Sequence, residues 1–266
     1  MSNFEGKTVW VTGASSGIGK AFVEELDKRY DVTFILSSRK ESELITLKNS
    51  LKNPEKHHVI SMDLEKSETI EQAVETVKSL DLKIDFLFNN GGVSQRAEVI
   101  ETAIDVDRKM FEINFFGNIY LTKLVLPFMV ENSAGHIIVT SSIAGKFGFF
   151  LRSAYSASKH ALHGFYESLR LEVEKYNIHV TILCPGKINT PISKAALTAD
   201  GSAHGLMDHN QATGMSAEIC AKQIINAIQK NKKEVLIGNK ETLAATLKRF
   251  LPQNLFWKII KKQPAT

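Results

Sequence analysis

Tyr155 and Lys159 stand four residues apart in the stretch Tyr155-Ser156-Ala157-Ser158-Lys159, a spacing that puts a phenol and an ammonium on one face of a helix. A free tyrosine, with a pKa near ~10, shuttles protons poorly at neutral pH. A cation beside it favours the phenolate and lowers that value, which makes the hydroxyl usable as a general acid or base. Alone, such a pair arises by chance on many surface helices. Two further features raise it above that: a glycine-rich turn from Thr12 to Gly19, and Ser142, thirteen residues before Tyr155 at the end of an apolar run.

Gly13, Gly17 and Gly19 fall between a β-branched run and an amphipathic one. Absent side chains there let the backbone approach a pyrophosphate at a helix N-terminus. The spacing is G-x-x-x-G-x-G, not the common dinucleotide G-x-G-x-x-G. Many NAD-binding folds end their second strand on an acidic residue that holds a ribose 2′-hydroxyl. Here that position reads Ser37, Ser38 and Arg39. Serine and arginine suit a 2′-phosphate, through charge-assisted hydrogen bonds that a carboxylate would oppose. NADP (NADPH) is therefore the expected cofactor and NAD is disfavoured; Lys40 is placed to share the role of Arg39.

The elements that must carry these residues alternate short β-branched runs with amphipathic ones, the pattern of a parallel sheet covered by helices. Strands are expected at Thr8–Thr12, Val32–Ser37, His58–Met62, Ile84–Phe88, His136–Thr140, Ile178–Cys184 and Glu234–Ile237. Helices are expected at Ser16–Tyr30, Glu41–Leu51, Ser67–Leu80 behind a serine cap, Asp107–Val130 with Pro127 bending or ending its last turn, Ala154–Tyr176, and a capped Ser216–Gln229. Residues 191–215 have no clear period and read as a mobile excursion, of the kind that forms a substrate lid. The expected fold is one α/β domain over 1–266, a doubly wound Rossmann-type fold with a parallel sheet of about seven strands and helices on both faces.

Composition narrows the function classes. With 43% hydrophobic and 23% charged residues the chain reads as an ordinary globular protein. No stretch approaches ~18 uninterrupted apolar residues, and Met1 to Gly6 has no basic-then-apolar pattern, so the expected compartment is the cytoplasm. Lys248, Arg249, Lys258, Lys261 and Lys262 sit in the tail with no acid between them; without their five charges the net +4 falls to near neutral. The basicity belongs to the tail, and no nucleic-acid partner is expected. Cys184 and Cys220 show no metal-like spacing, and Cys184 reads as a small buried filler. His204, Asp208 and His209 lie in the excursion without a rigid frame, so no metal site is expected. His160 and His163 read as solvent-facing or interface residues.

Taken together, these residues resemble the classical short-chain dehydrogenase/reductase (SDR) family from about Lys7 to Ile237. The resemblance is carried by Thr12-Gly13-Ala14-Ser15-Ser16-Gly17-Ile18-Gly19, Asn89-Asn90-Gly91-Gly92, Asn114, Ser142, Tyr155 with Lys159, and Pro185-Gly186 followed by Thr190. It implies an oxidoreductase moving a hydride between nicotinamide and a carbonyl or secondary alcohol. By that resemblance Tyr155 exchanges the proton, Lys159 holds the nicotinamide ribose and lowers the phenol pKa, Ser142 binds the substrate oxygen, and Asn114 holds a water linking Lys159 to solvent. Ser15, Ser16 and Ile18 join the glycines in the phosphate turn. Asp63 would accept from the adenine amino group with Leu64 beside the ring, and Asn90 and Gly91 would let backbone pass close to the adenosine ribose. Pro185, Gly186, Ile188 and Thr190 would frame the carboxamide. Gly92 stands where the family usually has alanine, a change expected to loosen the turn. The long helices 107–130 and 154–176 would mediate a homodimer or homotetramer.

Phe147-Gly148-Phe149-Phe150-Leu151, between Ser142 and Tyr155, either lines an apolar pocket for a hydrophobic small-molecule substrate or packs into the core or a subunit contact. The tail, residues 240–266, interleaves the five basic residues with Leu243, Leu247, Phe250, Leu251, Leu255, Phe256, Trp257, Ile259 and Ile260. Such a segment suits peripheral contact with an anionic membrane surface, or packing on a subunit or the lid. The rival function is a non-catalytic NADP(H)-sensing or scaffold protein, and within enzymes a sugar-nucleotide epimerase, against which the glycine spacing and short C-terminal region argue.

Overall fold

Apolar runs of β-branched and aromatic residues, separated by turns, place seven parallel strands side by side. The structure is a computed structural model describing residues 3–263; positions 1–2 and 264–266, the extreme ends of the N-terminal segment and of the tail, lie outside the described residues. The strands are β1 (Lys7–Thr12), β2 (Val32–Ser38), β3 (His58–Ser61), β4 (Phe86–Asn89), β5 (Gly135–Thr140), β6 (Ile178–Pro185), the short β7 (Ile188–Asn189) and β8 (Met215–Ser216), and β9 (Glu234–Ile237). The main sheet runs β3-β2-β1-β4-β5-β6-β9, and β7 pairs with β8 separately. This is the doubly wound Rossmann-type fold expected from the sequence. Strand order reverses between β1 and β4, and the crevice that follows at their carboxyl ends is where such sheets bind ligands.

Strand residues alternate between two apolar layers. Trp10, Ile35, Leu87 and Ile137 face one layer, which includes residues of α3 (Ser67–Ser79), α5 (Gly117–Glu131) and α6 (Ser153–Val173). Val9, Val11, Phe34, Leu36, Phe88 and Ile138 face the other, with α1 (Gly17–Arg29), α2 (Glu41–Ser50) and α8 (Ala217–Gln229). Burying both faces is what the near-continuous apolar runs require. Asp85, the lone charge in the run before β4, sits just outside the strand. Its carboxylate accepts from the Thr8 N–H at 3.1 Å and pairs with Lys7.

Three local expectations are corrected. Ser67 caps nothing; the N-cap position of α3 is Lys66, and the Thr69 hydroxyl bonds Asp63 N and O instead. The long helix starts earlier, as α4 (Ile104–Phe111), and continues through a π-helical segment, Glu112–Phe116, into α5, which contains Pro127 and runs on to Glu131. Ile104–Glu131 is long and apolar enough to cross a membrane by length and composition, yet 44% of its most apolar window is buried inside the fold. The excursion is bounded by the β7–β8 pair and holds a helical turn, α7 (His209–Ala212). The tail forms two helices, α9 (Leu243–Phe250) and α10 (Gln253–Ile260).

Candidate active site

The glycine turn joins β1 to α1 at the reversal point. Gly13 and Gly17 take positive φ of 64° and 57°, where side chains are disfavoured. At Gly19 the constraint is proximity: a Cβ would lie 2.4 Å from the Gly13 carbonyl oxygen. Thr12, the first residue of the motif, ties the turn to the segment after β4, its hydroxyl accepting the N–H groups of Asn90 and Gly91 at 3.0 and 2.9 Å. Ser15, Ser16 and Ile18 lie on this turn at the start of α1. Gly91 packs under Leu64, whose side chain leaves no room for a Cβ. Asp63 accepts the Glu65 N–H with one carboxylate oxygen at 3.1 Å, an Asx turn. β2 ends on Ser38, with Arg39 exposed beyond it; Lys40 pairs with Glu43, so its ammonium is already engaged.

Tyr155 and Lys159 do share a face of α6, but their coupling differs from expectation. Lys159 Nζ donates to the Thr140 carbonyl at 2.8 Å and lies 5.8 Å from the Tyr155 ring centroid. Burial lowers the Lys159 ammonium to about 8. Burial also pushes the Tyr155 phenol up; a hydrogen bond with the Ser142 side chain, then the charges of Arg152 and Arg96, oppose that rise. Two residues past β5, Ser142 caps a short 3₁₀ turn, accepting the Ala144 N–H at 3.1 Å and donating to the Pro185 carbonyl at 3.4 Å.

Asn114 lies in the π-helical segment, fully buried. Its amide accepts the Val93 N–H at 2.8 Å and donates to Val93 O and Ser158 Oγ. The amide is thus taken up by protein partners. Gly92 makes this fit: a Cβ there would sit 2.8 Å from Asn114 Oδ1. Its missing side chain therefore leaves room for the amide.

Beyond Ser142 and Tyr155 opens a cavity of about 610 Å³ reaching Ile18, Thr140, Pro185, Gly186, Ile188 and Thr190. Phe147 and Phe149 line it, whereas Phe150 is exposed. The tail closes it: Phe256 and Ile260 are buried, the Phe256 ring 5.5 Å from that of Phe147. Glu241, at the start of the tail, accepts the Lys187 and Asn239 N–H groups and lies against Gly186. A carboxylate thus ties the tail to the turn framing the cavity. The same tail leaves Leu243, Phe250, Leu255 and Trp257 exposed.

Two sequence readings are overturned. His163 is buried, its Nε2 within 3.0 Å of Ser141 Oγ and its Nδ1 within 3.2 Å of Lys146 Nζ. It lies near Cys184 and Glu234, but Lys146, paired with Glu234, already places a cation in that cluster. Asp208, read as part of a mobile segment, is buried and ion-paired with Arg96. Nothing in residues 191–215 alone signals this, because the partner is 112 positions away.

The model of the short chain dehydrogenase family matches residues 7–201. Dehydrogenase/reductase SDR family member 7B of Mus musculus is 40% identical over 257 residues, covering 95% of this chain and 79% of that protein. Among solved structures, actinorhodin polyketide ketoreductase with NADPH is 31% identical, covering 72% of this chain and 74% of that one with a TM-score of 0.66. A short chain dehydrogenase/reductase from Burkholderia phymatum in complex with NAD shares the fold at 22% identity, covering 100% of this chain and 98% of that one with a TM-score of 0.82. These two neighbours hold different cofactors, so the fold by itself does not choose between them. The family match across six of the seven main strands, and a dehydrogenase/reductase relative alike over almost the whole chain, make this protein a member of the short-chain dehydrogenase/reductase family, an oxidoreductase.

Proposed function

We propose that this protein is an NADP(H)-dependent reductase or dehydrogenase of an apolar carbonyl or secondary alcohol, with Tyr155 as its general acid/base. The observation that carries this reading is the Tyr155 phenol beside Ser142 at the wall of an apolar cavity that reaches Ile18 of the glycine turn. The residues fit a dinucleotide: Gly13, Gly17 and Gly19 leave a cradle that side chains would fill or strain. When bound, the nicotinamide supplies or accepts the hydride. In reduction, Ser142 and Tyr155 grip the carbonyl oxygen, and Tyr155 gives it a proton as charge builds there. Lys159, held by Thr140, faces the ribose and helps return the proton. Asn114 fixes the Val93 backbone beside them and holds the relay water through the second lone pair of its main-chain carbonyl, which also accepts the Asn118 side chain at 3.1 Å. Asp63 and Leu64, Asn90 and Gly91 receive the adenosine half; Pro185, Gly186, Ile188 and Thr190 receive the carboxamide.

Arg39, exposed at the end of β2 beside Ser38, supports NADP over NAD. Purified protein is expected to prefer NADPH over NADH, read at the nicotinamide absorbance against a panel of aldehydes, ketones, quinones and steroids. Arg39→Asp is expected to cut kcat/KM with NADPH by about 10–100-fold, the scale of one or two charge-assisted hydrogen bonds, and to spare NADH. Equal loss with both cofactors would remove Arg39 from the 2′-phosphate site. Tight NADPH binding without turnover of any carbonyl would favour the sensor or scaffold instead.

The excursion 191–215 serves as the lid, and exposed Phe116 and Leu171 on the outer helices support a homodimer or homotetramer. The exposed tail face, with Lys248 and Arg249 beside Phe250, supports peripheral contact with anionic bilayers. Because α10 also walls the cavity, a point change is the cleaner test: Phe250→Glu, at a residue 78% exposed, is expected to abolish co-sedimentation with anionic liposomes while turnover of a soluble carbonyl persists. Unchanged co-sedimentation, or none by the unmodified protein, would sink the membrane contact.

A further inference from the structure

Four residues after β4, Ser94 to Ala97, meet three separate parts of the molecule. The excursion joins through paired backbone bonds, Arg96 N to Leu197 O and Leu197 N to Ser94 O, each 2.8 Å. The turn before α6 joins through Ala97 N to Leu151 O at 3.2 Å. α6 itself joins through the Gln95 side-chain oxygen, which accepts the Tyr155 N–H at 3.3 Å. Into this junction the excursion sends one carboxylate. Arg96 Nε donates to Asp208 Oδ2 at 2.7 Å, with a second bond from its Nη2, and Arg152 Nη2 reaches the same oxygen at 3.4 Å. The Arg96 and Asp208 side chains are 3% and 2% exposed. The contact is therefore part of the interior, although it joins an excursion to the residues flanking Tyr155.

We propose that Asp208 is a positioning residue, a latch that holds the 191–215 excursion against α6 and screens the guanidinium charges of Arg96 and Arg152 from the Tyr155 hydroxyl. The proposal rests on Tyr155 being the proton-exchanging group. Its physical content is a charge balance at one wall of the cavity. The charges acting at Tyr155 are those of Arg152, at the N-cap of its own helix, and Arg96, from the segment after β4; Lys159 lies one turn along the helix, and Asp208, from the excursion, pairs with both arginines. His204 stands 3.7 Å from the other Asp208 oxygen, which makes no hydrogen bond. Of these, Asp208 is the one negative charge. Both arginines favour the phenolate, and a carboxylate between them weakens that effect. Docking of the excursion thus also fixes how acidic the phenol is. The latch and the proton donor form one unit.

The test reads the phenol directly. In protein labelled with [13Cζ]tyrosine, the Tyr155 resonance is assigned by its loss in Tyr155→Phe, and its titration is followed with amide hydrogen exchange over 193–212. Asp208→Asn is expected to shift the Tyr155 titration to lower pH, with a phenolate fraction about tenfold higher at a fixed pH below the midpoint, and to speed exchange in the excursion. The complementary variant, Arg152→Gln, removes a cation outside the most buried pair and is expected to shift the titration upward. Unchanged titration and exchange in Asp208→Asn would overturn the latch. Should that variant not fold, an unshifted or downward titration in Arg152→Gln would overturn it. Failure of the proton-donor reading is separately visible, as turnover surviving in Tyr155→Phe whatever the titrations show.

Discussion

Tyr155→Phe is expected to lower kcat by about 10²–10⁴-fold, the range over which a positioned acid or base contributes, while affinity for NADPH stays nearly unchanged. The ring is buried against the core and the change removes one hydroxyl, so the cavity keeps its shape. Ser142 retains its bonds to Ala144 and Pro185. Steady-state turnover, paired with fluorescence titration of NADPH, separates the two effects. Lys159→Ala is expected to damage both, since it removes the group facing the ribose and leaves the Thr140 carbonyl without its donor. Retained turnover in the phenylalanine variant would remove Tyr155 as proton donor, and weakened NADPH binding in that variant would place it in the cofactor site instead.

Gly117→Ala is expected to destabilise the fold, against the sign that helix propensity predicts. In an isolated helix, alanine is favoured over glycine by about 1 kcal/mol. Here α5 begins so close to the loop after β3 that a Cβ on Gly117 would lie 2.1 Å from the Leu64 carbonyl oxygen. That neighbour is backbone, and it cannot rotate away. Relief requires the helix or the loop to move, an overpacking cost of about 1–3 kcal/mol that outweighs the propensity gain at its upper end. The expected result is a Tm lower by roughly 2–8 °C and weaker NADPH binding, because the displaced loop carries Asp63 and Leu64. A raised Tm would show that the two segments are not in close contact.

What the sequence determined by itself was the framework. Its alternation of β-branched and amphipathic runs located all seven main strands, β9 to the residue and the others within two residues at each end. Period and chirality are local or near-local properties of a chain, and a parallel sheet with right-handed crossovers leaves few arrangements for that order of elements. The same locality made the glycine turn and the Tyr155-Lys159 face legible, since strand, turn and helix position those residues directly. Contacts between distant segments were decided by tertiary structure alone. The π-helical segment presenting Asn114 is invisible in a helical repeat, because it depends on an amide finding the Val93 backbone 21 positions away. Pairing of Arg96 with Asp208, burial of His163 beside Lys146 and Glu234, and the docking of the tail on Phe147 likewise depend on which surfaces meet. Even the phenol of Tyr155 follows this rule: the sequence placed a cation one turn away, but burial and the neighbours Ser142, Arg152 and Arg96 set its acidity. Electrostatics in a folded protein depends on distance and solvent exclusion, and neither can be read from spacing along the chain.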